Sequence, residues 1–219
     1  MPIRSVPGSA SVATPEGGKL FAPSAATNMG ALGDLLARVA PLQGRALEIA
    51  SGTGQHVVGY ACRLPGLTWQ PTEVDAARRA SIDAYAREAD LGNILTARAL
   101  DATSLGWGRQ LNGSQDLIVL SNLLHLISEG EARILISEAA TALAEDGRLL
   151  IYGPFMRRSA LTSDGDRAFH ASLTAHDPET GYKDDIETIG WLQDAGLDVL
   201  ETVEMPANNL ALISKKSPI

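Results

Sequence analysis

The sequence predicts an α/β fold in which a mostly parallel β-sheet is covered by helices on both faces. Two observations support this prediction. Short apolar runs alternate along the chain with helical patterns of roughly 10–15 residues, the length that a crossover between parallel strands needs. The runs are also apolar at successive residues, as in 116–121 (DLIVLS), which indicates burial on both faces of the sheet. With 219 residues, the chain is long enough for one domain with a sizeable core.

Seven apolar runs predict the strands of this sheet. They cover residues 45–50, 68–71, 94–99, 116–121, 148–152, 197–203 and 210–214. Five helical patterns lie among them, and the first ends before Pro41, a residue that cannot continue a helix. The predicted helices cover residues 28–39, 55–63, 75–89, 129–143 and 186–195.

Two segments interrupt the alternation of strands and helices. Residues 1–27 are rich in Pro, Gly, Ala and Ser without periodicity, so we expect an N-terminal arm that closes over a ligand as a lid. Residues 153–185 combine Pro, Gly, Asp and aromatic residues, and we expect an insertion over the C-terminal edge of the sheet. The domain itself is expected to span residues 28–219.

The composition narrows the classes of partner. The chain carries 18 Lys and Arg against 26 Asp and Glu, a net charge of -8, which disfavours binding to nucleic acid or to an anionic membrane. No apolar run approaches the ~18 residues of a membrane span. The single cysteine, Cys62, cannot form an internal disulfide, as is typical of a reducing compartment. We therefore expect a cytoplasmic protein that acts on a small molecule; the sequence does not indicate its oligomeric state.

The first predicted strand runs into a glycine-rich turn at residues 48–54 (EIASGTG). In open α/β sheets, ligands lie beyond the carboxyl ends of the strands, and Gly52 and Gly54 would allow the backbone around Ala50 to approach a ligand closely. A Gly-x-Gly pair is also common in turns that bind nothing. The neighbouring residues therefore decide the interpretation.

Two features distinguish this turn from a dinucleotide-binding loop. The third glycine of that fingerprint would fall at Val57 and is missing, and an acidic residue, Glu48, lies in the turn. A carboxylate would repel a pyrophosphate but not a cationic ligand such as an aminoacyl sulfonium. The turn therefore favours a ligand of the second kind.

Acidic residues also follow the next two predicted strands. Glu73 stands on the order of 20 residues after the glycines, where a carboxylate can accept both hydroxyls of a ribose. Asp75 competes for this role, but it also fits the N-cap of the following helix. Asp101 and Ala102 are placed to contact an adenine amino group, and an aspartate in a surface loop is the alternative.

Several motifs together resemble the methyltransferase-like 26 family of S-adenosylmethionine (SAM)-dependent methyltransferases. They span most of the chain: APSAATN at 22–28, EIASGTGQH at 48–56, WQP at 69–71, Asn122 with His125, YGPF at 152–155 and MPANN at 205–209. The resemblance implies a Rossmann-like class I methyltransferase, a three-layer sandwich whose seven-stranded sheet has an antiparallel last strand. It also implies SAM as the cofactor and no metal.

The chain departs from the pattern of that family at several positions. They are Thr27, Asp166, His170, Thr180, Lys183 and the residues after His125, LISE at 126–129. These positions lie away from the glycine-rich turn in the sequence. The resemblance therefore predicts a divergent member that keeps SAM and methylates a different acceptor.

Candidate catalytic residues follow the strands predicted at 116–121 and 148–152. Ser121, Asn122 and His125 leave the first of them at the edge where the donor methyl group should point, and Tyr152 ends the second at the same crevice. An imidazole titrates near neutral pH, so His125 is a candidate base, with a structural histidine at a helix start as the alternative. If a helical turn begins at Asn122, its side chain shares one face with that of His125.

Four further residues are candidates for contact with the acceptor: Asn28, Phe155, Asn208 and Asn209. Each asparagine can instead hold a turn. His56 fits a simpler role, bonding to backbone in the first turn of its helix. His170 and His176 lack metal-ligand spacing with carboxylates or thiols, so we expect no metal site.

The sequence supports one main hypothesis about function, a SAM-dependent methyltransferase for a small-molecule acceptor. A non-catalytic SAM-binding partner or sensor is the alternative, because a fold does not establish activity. A nicotinamide-dependent oxidoreductase would need the missing third glycine.

Overall fold

The structure, a computed structural model, describes residues 18–217. Its helices are α1 (Pro23–Val39), α2 (Gln55–Arg63), α3 (Ala76–Ala89), α4 (Trp107–Leu111), α5 (Glu129–Ala142), α6 (Asp164–His176) and α7 (Asp185–Asp194). Its strands are β1 (Gly44–Ile49), β2 (Leu67–Pro71), β3 (Gln115–Ser121), β4 (Leu143–Met156), β5 (Lys183–Asp184), β6 (Leu197–Met205) and β7 (Asn209–Lys216). A 3-10 turn spans Leu124–Leu126.

The strands form one mixed sheet in the order β2-β1-β3-β4-β7-β6, and β5 pairs with β4 off this path. Neighbours are parallel from β2 to β4, whereas β7 is antiparallel to both β4 and β6. The predicted fold class, including the antiparallel last strand, is confirmed. The chain passes from β1 to β2 on one side and then to β3 on the other, which opens a crevice at the carboxyl end of β1.

Two apolar layers hold the helices against the sheet. Successive side chains of a strand point to opposite faces, so in β3 Leu117 and Val119 pack with α1, α2 and α3, whereas Ile118 and Leu120 pack with α5 and α7. All four side chains are fully buried, and burial of each contributes about 1.5–3 kcal/mol. This two-sided burial is the reason that the strands read as continuous apolar runs.

The strand predicted at 94–99 is reduced to two isolated parallel bridges, Trp69 with Ile94 and Thr72 with Arg98. Between these bridges, backbone groups form hydrogen bonds with side chains instead of with a neighbouring strand. The amide of Ala97 donates to the Asp83 carboxylate at 2.8 Å, and Gln70 Nε2 donates to the carbonyl oxygen of residue 96 at 2.9 Å. The two-residue β5, which the sequence did not predict, brings the sheet to seven strands.

The predicted boundary between arm and domain falls inside a helix. Helix α1 begins at Pro23 rather than at residue 28, with proline near the first helical position, where its missing N–H is not needed. The preceding backbone is anchored, because Leu20 N donates to Ser81 Oγ and Ala22 N to Gln55 Oε1, both at 2.7 Å. Residues 1–17, the rest of the predicted arm, lie outside the described residues.

The predicted insertion is an ordered part of the fold. Strand β4 continues to Met156, so the first residues of 153–185 belong to the sheet, and the remainder carries α6 and β5. Ser163 caps α6 by accepting a hydrogen bond from Asp166 N at 3.1 Å. Within residues 18–217, no helix has both the length and the apolar character that a membrane span requires.

Candidate functional site

A cavity of about 690 Å³ lies at the carboxyl ends of β1, β2, β3 and β4. The start of α1, the insertion and the turn between β6 and β7 complete its walls. The predicted site residues that line it are Asn28, Ala50, Gly52, Glu73, Asp101, Ala102, Ser121, Asn122, His125, Tyr152 and Asn209. Four others, Glu48, Gly54, Phe155 and Asn208, do not line it.

The turn after β1 has the left-handed backbone that its glycines suggest. Ala50 has a φ of 52° and Gly52 a φ of 59°. The amide of Ser51 donates to the Thr72 carbonyl at 2.8 Å, which ties the turn to the segment after β2. The turn therefore presents its backbone to the cavity in a fixed shape.

Glu73 is a buried carboxylate that lines the cavity and is held by two backbone N–H groups. Its two oxygens accept hydrogen bonds from Gly52 N at 3.1 Å and from Asp75 N at 3.2 Å. Each carboxylate oxygen has a second lone pair for a hydroxyl donor. Asp75 also caps α3 by accepting from Arg78 N at 2.8 Å, so the N-cap alternative for Asp75 is confirmed. The Arg78 guanidinium lies 3.9 Å from Glu73.

Glu48 lies beneath the turn instead of in the cavity wall. Burial raises the pKa of its carboxyl to about 8, and the charge of Glu73 adds to this rise, partly offset by Ser51. Within residues 18–217, its Oε2 atom has no hydrogen-bond partner. A buried acid in this state would be stabilised as a carboxylate by a cation bound above the turn.

Gly54 has a packing role that the sequence interpretation missed. It is the N-cap of α2 with a φ of 96°, and an added Cβ would lie 2.6 Å from Ile82 Cα on α3. Glycine is therefore required at this position for the packing of α2 on α3, and the expected contact of Gly54 with a ligand stays a prediction. An added Cβ at Gly52 would meet only Ala50 O, at 4.0 Å.

The segment after residues 94–98 forms another wall of the cavity. Asp101 Oδ1 accepts hydrogen bonds from Thr103 N at 3.0 Å and Thr103 Oγ1 at 2.6 Å. The carbonyl of Ala102 accepts from Trp107 Nε1 at 3.0 Å. These bonds hold the predicted adenine-contact residues in one conformation.

Asn122 and His125 both line the cavity, although not by the predicted route. Asn122 has a left-handed φ of 56° and donates its N–H to the Tyr152 carbonyl at 2.8 Å. The 3-10 turn begins only at Leu124, so the condition for a shared helical face, a turn that begins at Asn122, is not met. Ser121 pairs with Tyr152 across β3 and β4.

His125 is a buried, neutral histidine in contact with aromatic rings. Burial lowers its pKa to about 3, and the nearby Lys183 ammonium lowers it further. Its ring packs edge-to-face on Phe169 at 5.6 Å and on Tyr182 at 6.3 Å between centroids. The 181–183 segment holds it in place, because Gly181 N donates to the His125 carbonyl at 2.9 Å.

Tyr152, Asn28 and His56 form a polar group at the same end. The Tyr152 hydroxyl is buried and has no partner at hydrogen-bond geometry within residues 18–217. Burial raises its pKa, and the neighbouring Asn28 lowers it in part. His56 Nε2 lies 2.7 Å from Asn28 Oδ1, and burial lowers the pKa of His56 to about 4. His56 thus contacts a side chain that also lines the cavity, beyond the backbone role expected of it.

The remaining acceptor candidates differ in position. Phe155 is buried in the core and pairs with Lys183 of β5. Asn208 Nδ2 donates to Asp166 Oδ2 at 3.3 Å, outside the cavity wall. Asn209 lines the cavity and also holds a turn, since its Nδ2 donates to the Pro206 carbonyl at 3.0 Å.

Among the cavity residues that the sequence interpretation did not assign to the site are His56, Arg78, Phe169 and Tyr182. The signal for Phe169 and Tyr182 was the aromatic content of the insertion, which indicated an insertion over the edge of the sheet but no particular residue. Within residues 18–217, no group of three or more His, Cys, Asp or Glu side chains could hold a metal ion.

The sheet order and the crevice after β1 define the Rossmann-like fold of class I SAM-dependent methyltransferases. The chain belongs to the family described as "Protein of unknown function (DUF938)", whose sequence model matches residues 19–216.

Solved structures share this fold at low sequence identity. An O-methyltransferase family protein from Burkholderia thailandensis superposes with a TM-score of 0.73 at 21% identity, over 86% of this chain and 56% of that chain. An O-methyltransferase-like protein from Nostoc punctiforme PCC 73102 gives 0.75 at 19%, over 89% and 57%. Geranyl diphosphate C-methyltransferase from Streptomyces coelicolor A3(2), solved with S-adenosyl-L-homocysteine (SAH), gives 0.69 at 13%, over 86% and 76%. This chain spans little more than half the length of the first two.

Proposed function

We propose that this chain is a SAM-dependent methyltransferase for a small-molecule acceptor, and a member of the methyltransferase-like 26 family whose motifs it carries. The observation that carries the proposal is the Glu73 carboxylate, which faces the cavity and is fixed by two backbone N–H groups beside the glycine turn. A carboxylate so oriented binds a ribose diol. The solved methyltransferases with the same fold support this interpretation, and one of them holds SAH.

The described residues fit each part of SAM. Glu73 would accept the ribose hydroxyls, and Asp101 with Ala102 would contact the adenine. The backbone of residues 50–53 would hold the aminoacyl part, with Glu48 beneath it to stabilise a positive charge. When bound, SAM supplies an electrophilic methyl group and leaves as SAH, with the carbon–sulfur electron pair on sulfur.

Groups from α1, from β4 and from the segment after β3 would hold the acceptor. Tyr152 and Asn28 offer hydrogen bonds to it, and neutral His125 can accept one. Because the pKa of His125 is lowered to about 3, this imidazole holds a proton only weakly. The acceptor proton therefore leaves to solvent, and most of the rate enhancement comes from proximity and alignment. A non-catalytic SAM sensor would give these buried polar groups no role.

Calorimetry of SAH with Glu73→Ala tests the cofactor site. The variant leaves the ribose hydroxyls without their acceptor, so we expect SAH binding to weaken by about 1–3 kcal/mol. Glu145→Ala is the matched control, because Glu145 is exposed near the start of β4, at the other end of the sheet. Equal SAH affinity in both variants and the wild type would remove Glu73 from the site.

Transfer of label from methyl-labelled SAM tests the activity. The purified protein is incubated with the small-molecule fraction of a cell extract, and we expect label in a small molecule together with released SAH. If SAH binds but no label moves with any fraction, the protein is a SAM-binding protein without this activity.

A further inference from the structure

We propose that the methyl acceptor is an uncharged, planar aromatic compound with a hydroxyl group. The inference rests on the proposed function, since it concerns the part of the cavity beyond the cofactor residues. Three features of that part carry it: a corner of aromatic rings, a buried hydroxyl without a partner, and the distribution of charge along the cavity.

The aromatic corner consists of His125, Phe169 and Tyr182, all of which line the cavity. The three rings pack mutually edge-to-face, with centroid separations of 5.6 Å, 6.3 Å and 6.0 Å and interplanar angles of 62°, 69° and 76°. Rings at such angles leave one face or edge of each available to a further ring. A flat aromatic molecule can therefore continue the same packing, which a puckered aliphatic ring cannot.

The unpartnered hydroxyl of Tyr152 supplies the polar contact. It is buried and within residues 18–217 has no partner at hydrogen-bond geometry, although Asn28 lies beside it, and Tyr152 lines the same cavity as the aromatic corner. A buried hydroxyl without a partner is costly unless a ligand completes its hydrogen bond. A hydroxyl group of the acceptor can both donate and accept a hydrogen bond. It would therefore pair with the Tyr152 hydroxyl whichever of the two groups is the donor.

The distribution of charge disfavours an ionic acceptor. Among residues 18–217, the charged side chains that line the cavity are Glu73, Asp75, Arg78 and Asp101, and all four follow β2 or the 94–98 segment. The walls from α1, β3, β4 and the insertion present only neutral groups, because burial keeps His56 and His125 uncharged at neutral pH.

Two buried ions behind the aromatic corner act in opposite directions. The Lys183 ammonium donates to the carbonyls of Ile127 at 2.7 Å and Gly181 at 2.9 Å, and its charge disfavours a cation in the corner. The Asp166 carboxylate accepts from the Tyr182 hydroxyl at 3.2 Å, and its charge disfavours an anion. Each charge attracts the sign of ion that the other repels, so together they favour neither, and an ion in the corner would lose its hydration without gaining a counter-ion of its own.

Methylation of such an acceptor gives a methyl ether. The hydroxyl oxygen forms the new bond to carbon, the carbon–sulfur pair stays on sulfur, and the hydroxyl proton goes to solvent. This methyl transfer needs neither an oxidant nor a metal.

Four naphthalene derivatives of similar size test the inference: naphthol, naphthoate, naphthylmethylammonium and decahydronaphthol. Each is titrated calorimetrically into the protein at neutral pH, with and without saturating SAH. We expect naphthol to bind at least about ten-fold more tightly than either charged probe, which would be desolvated without a counter-ion. We expect decahydronaphthol to bind roughly two- to ten-fold more weakly than naphthol, the contribution of one aromatic pair.

Phe169→Leu assigns this preference to the aromatic corner. The variant should lower the ratio of naphthol to decahydronaphthol affinity toward one, while Phe21→Leu, the same change at a ring that does not line the cavity, should leave the ratio unchanged. A charged probe that binds as tightly as naphthol, an unchanged ratio in Phe169→Leu, or no binding of naphthol at its solubility limit would overturn the inference. Failure of SAH to bind would instead overturn the proposed function, and the titrations without SAH still test the acceptor class.

Discussion

Gly52 and Gly54 lie in one turn, yet the structure requires glycine there for different reasons. Gly52 lines the cavity with open space where a Cβ would be, whereas the Cβ of any other residue at Gly54 would overlap Ile82 Cα. Both have positive φ, which costs a non-glycine residue about 1 kcal/mol. Only Gly54 adds a backbone clash to that strain.

The two alanine variants should therefore separate ligand binding from folding. We expect Gly52→Ala to weaken SAH binding with a small change in stability, because its methyl group enters the space beside the turn. We expect Gly54→Ala to lower the free energy of unfolding by about 2–4 kcal/mol, since α2 and α3 must move apart. Denaturant unfolding and SAH calorimetry measure the two effects. The interpretation fails if Gly54→Ala is as stable as the wild type or if Gly52→Ala is the less stable of the two.

Which side chains follow each strand could be predicted from the sequence, but not whether they face the cavity. Glu73 follows β2 as predicted, and Tyr152 lines the cavity from within β4, which continues beyond it to Met156. Glu48 belongs to β1 and Gly54 caps α2, and neither lines the cavity, because the left-handed φ values of the turn between them set its course and cannot be read from composition. Phe169 and Tyr182 were missed because their positions depend on how the insertion folds back.

The insertion and the β6–β7 turn are joined through one carboxylate. Asp166 accepts hydrogen bonds from Thr162 Oγ1 and Ser163 Oγ at 2.8 Å, and from Tyr182 and Asn208 at 3.2 Å and 3.3 Å. These bonds lower the pKa of Asp166 despite the opposing effect of burial. The carboxylate thus connects α6, the segment before β5 and the turn that carries Asn209.

Asp166→Ala should loosen this part of the cavity wall and leave the cofactor end intact. We expect hydrogen exchange in α6 and in residues 206–209 to accelerate by roughly ten-fold, as loss of about 1–2 kcal/mol of hydrogen bonding implies. KM for an acceptor should rise while SAH affinity stays the same. Asp164→Ala is the control, because Asp164 is exposed in the first turn of the same helix. Equal exchange in the two variants would show that Asp166 does not join these elements.

Most elements of the fold were predictable because the residues that show a helical or strand-like apolar pattern are also the residues that form the hydrogen bonds of that helix or strand. Strand β3 and helix α5 are examples, with DLIVLS buried on both faces and Ser128 capping the helix. The edge segment at 94–98 was not predicted correctly, because one of its backbone amides donates its hydrogen bond to Asp83, a residue of α3, instead of to a neighbouring strand. Helix α1 was predicted too short because Pro23 reads equally well as part of a loop.

Three buried titratable groups with large pKa shifts contribute most to the pH dependence of stability of the ligand-free protein, and burial also lowers the pKa of His170, which adds to the loss of stability at acid pH. The pKa of His56 is lowered to about 4 and that of His125 to about 3, both from 6.5, whereas the pKa of Glu48 is raised from 4.5 to about 8. Below pH 6.5 the unfolded chain binds protons at both histidines that the folded chain does not. Between pH 4.5 and 8 the folded chain keeps a proton on Glu48 that the unfolded chain has lost.

These groups together place the highest stability near pH 6.5, where the histidines of the unfolded chain change charge. As the pH falls below this value the two histidines outweigh Glu48 by one proton, so the free energy of unfolding should fall by about 1.4 kcal/mol per pH unit. As the pH rises toward 8, Glu48 alone remains, and stability should fall again. Denaturant unfolding across a series of pH values measures both limbs.

Single variants show which group causes the loss of stability on the acid side of the profile (the acid limb) and which causes the loss on the alkaline side (the alkaline limb). We expect Glu48→Gln to flatten the alkaline limb and His125→Gln to reduce the acid limb, whereas His176→Gln, at an exposed position, should alter neither. An alkaline limb that persists in Glu48→Gln would contradict the assignment to this carboxyl.

The position of β7 between β4 and β6 affects the order in which the protein can be assembled during synthesis. Every parallel neighbour in the sheet precedes it in the chain, so β1 to β4 can pair while residues 209–216 are still in the ribosome. Until then the long edge of β4 is open, and an apolar open edge recruits strands from other chains. Closure of this edge by β7 also delivers Asn209 to the cavity. Closure of the β4 edge by β7 therefore protects the protein from aggregation and completes the wall of the cavity in the same event.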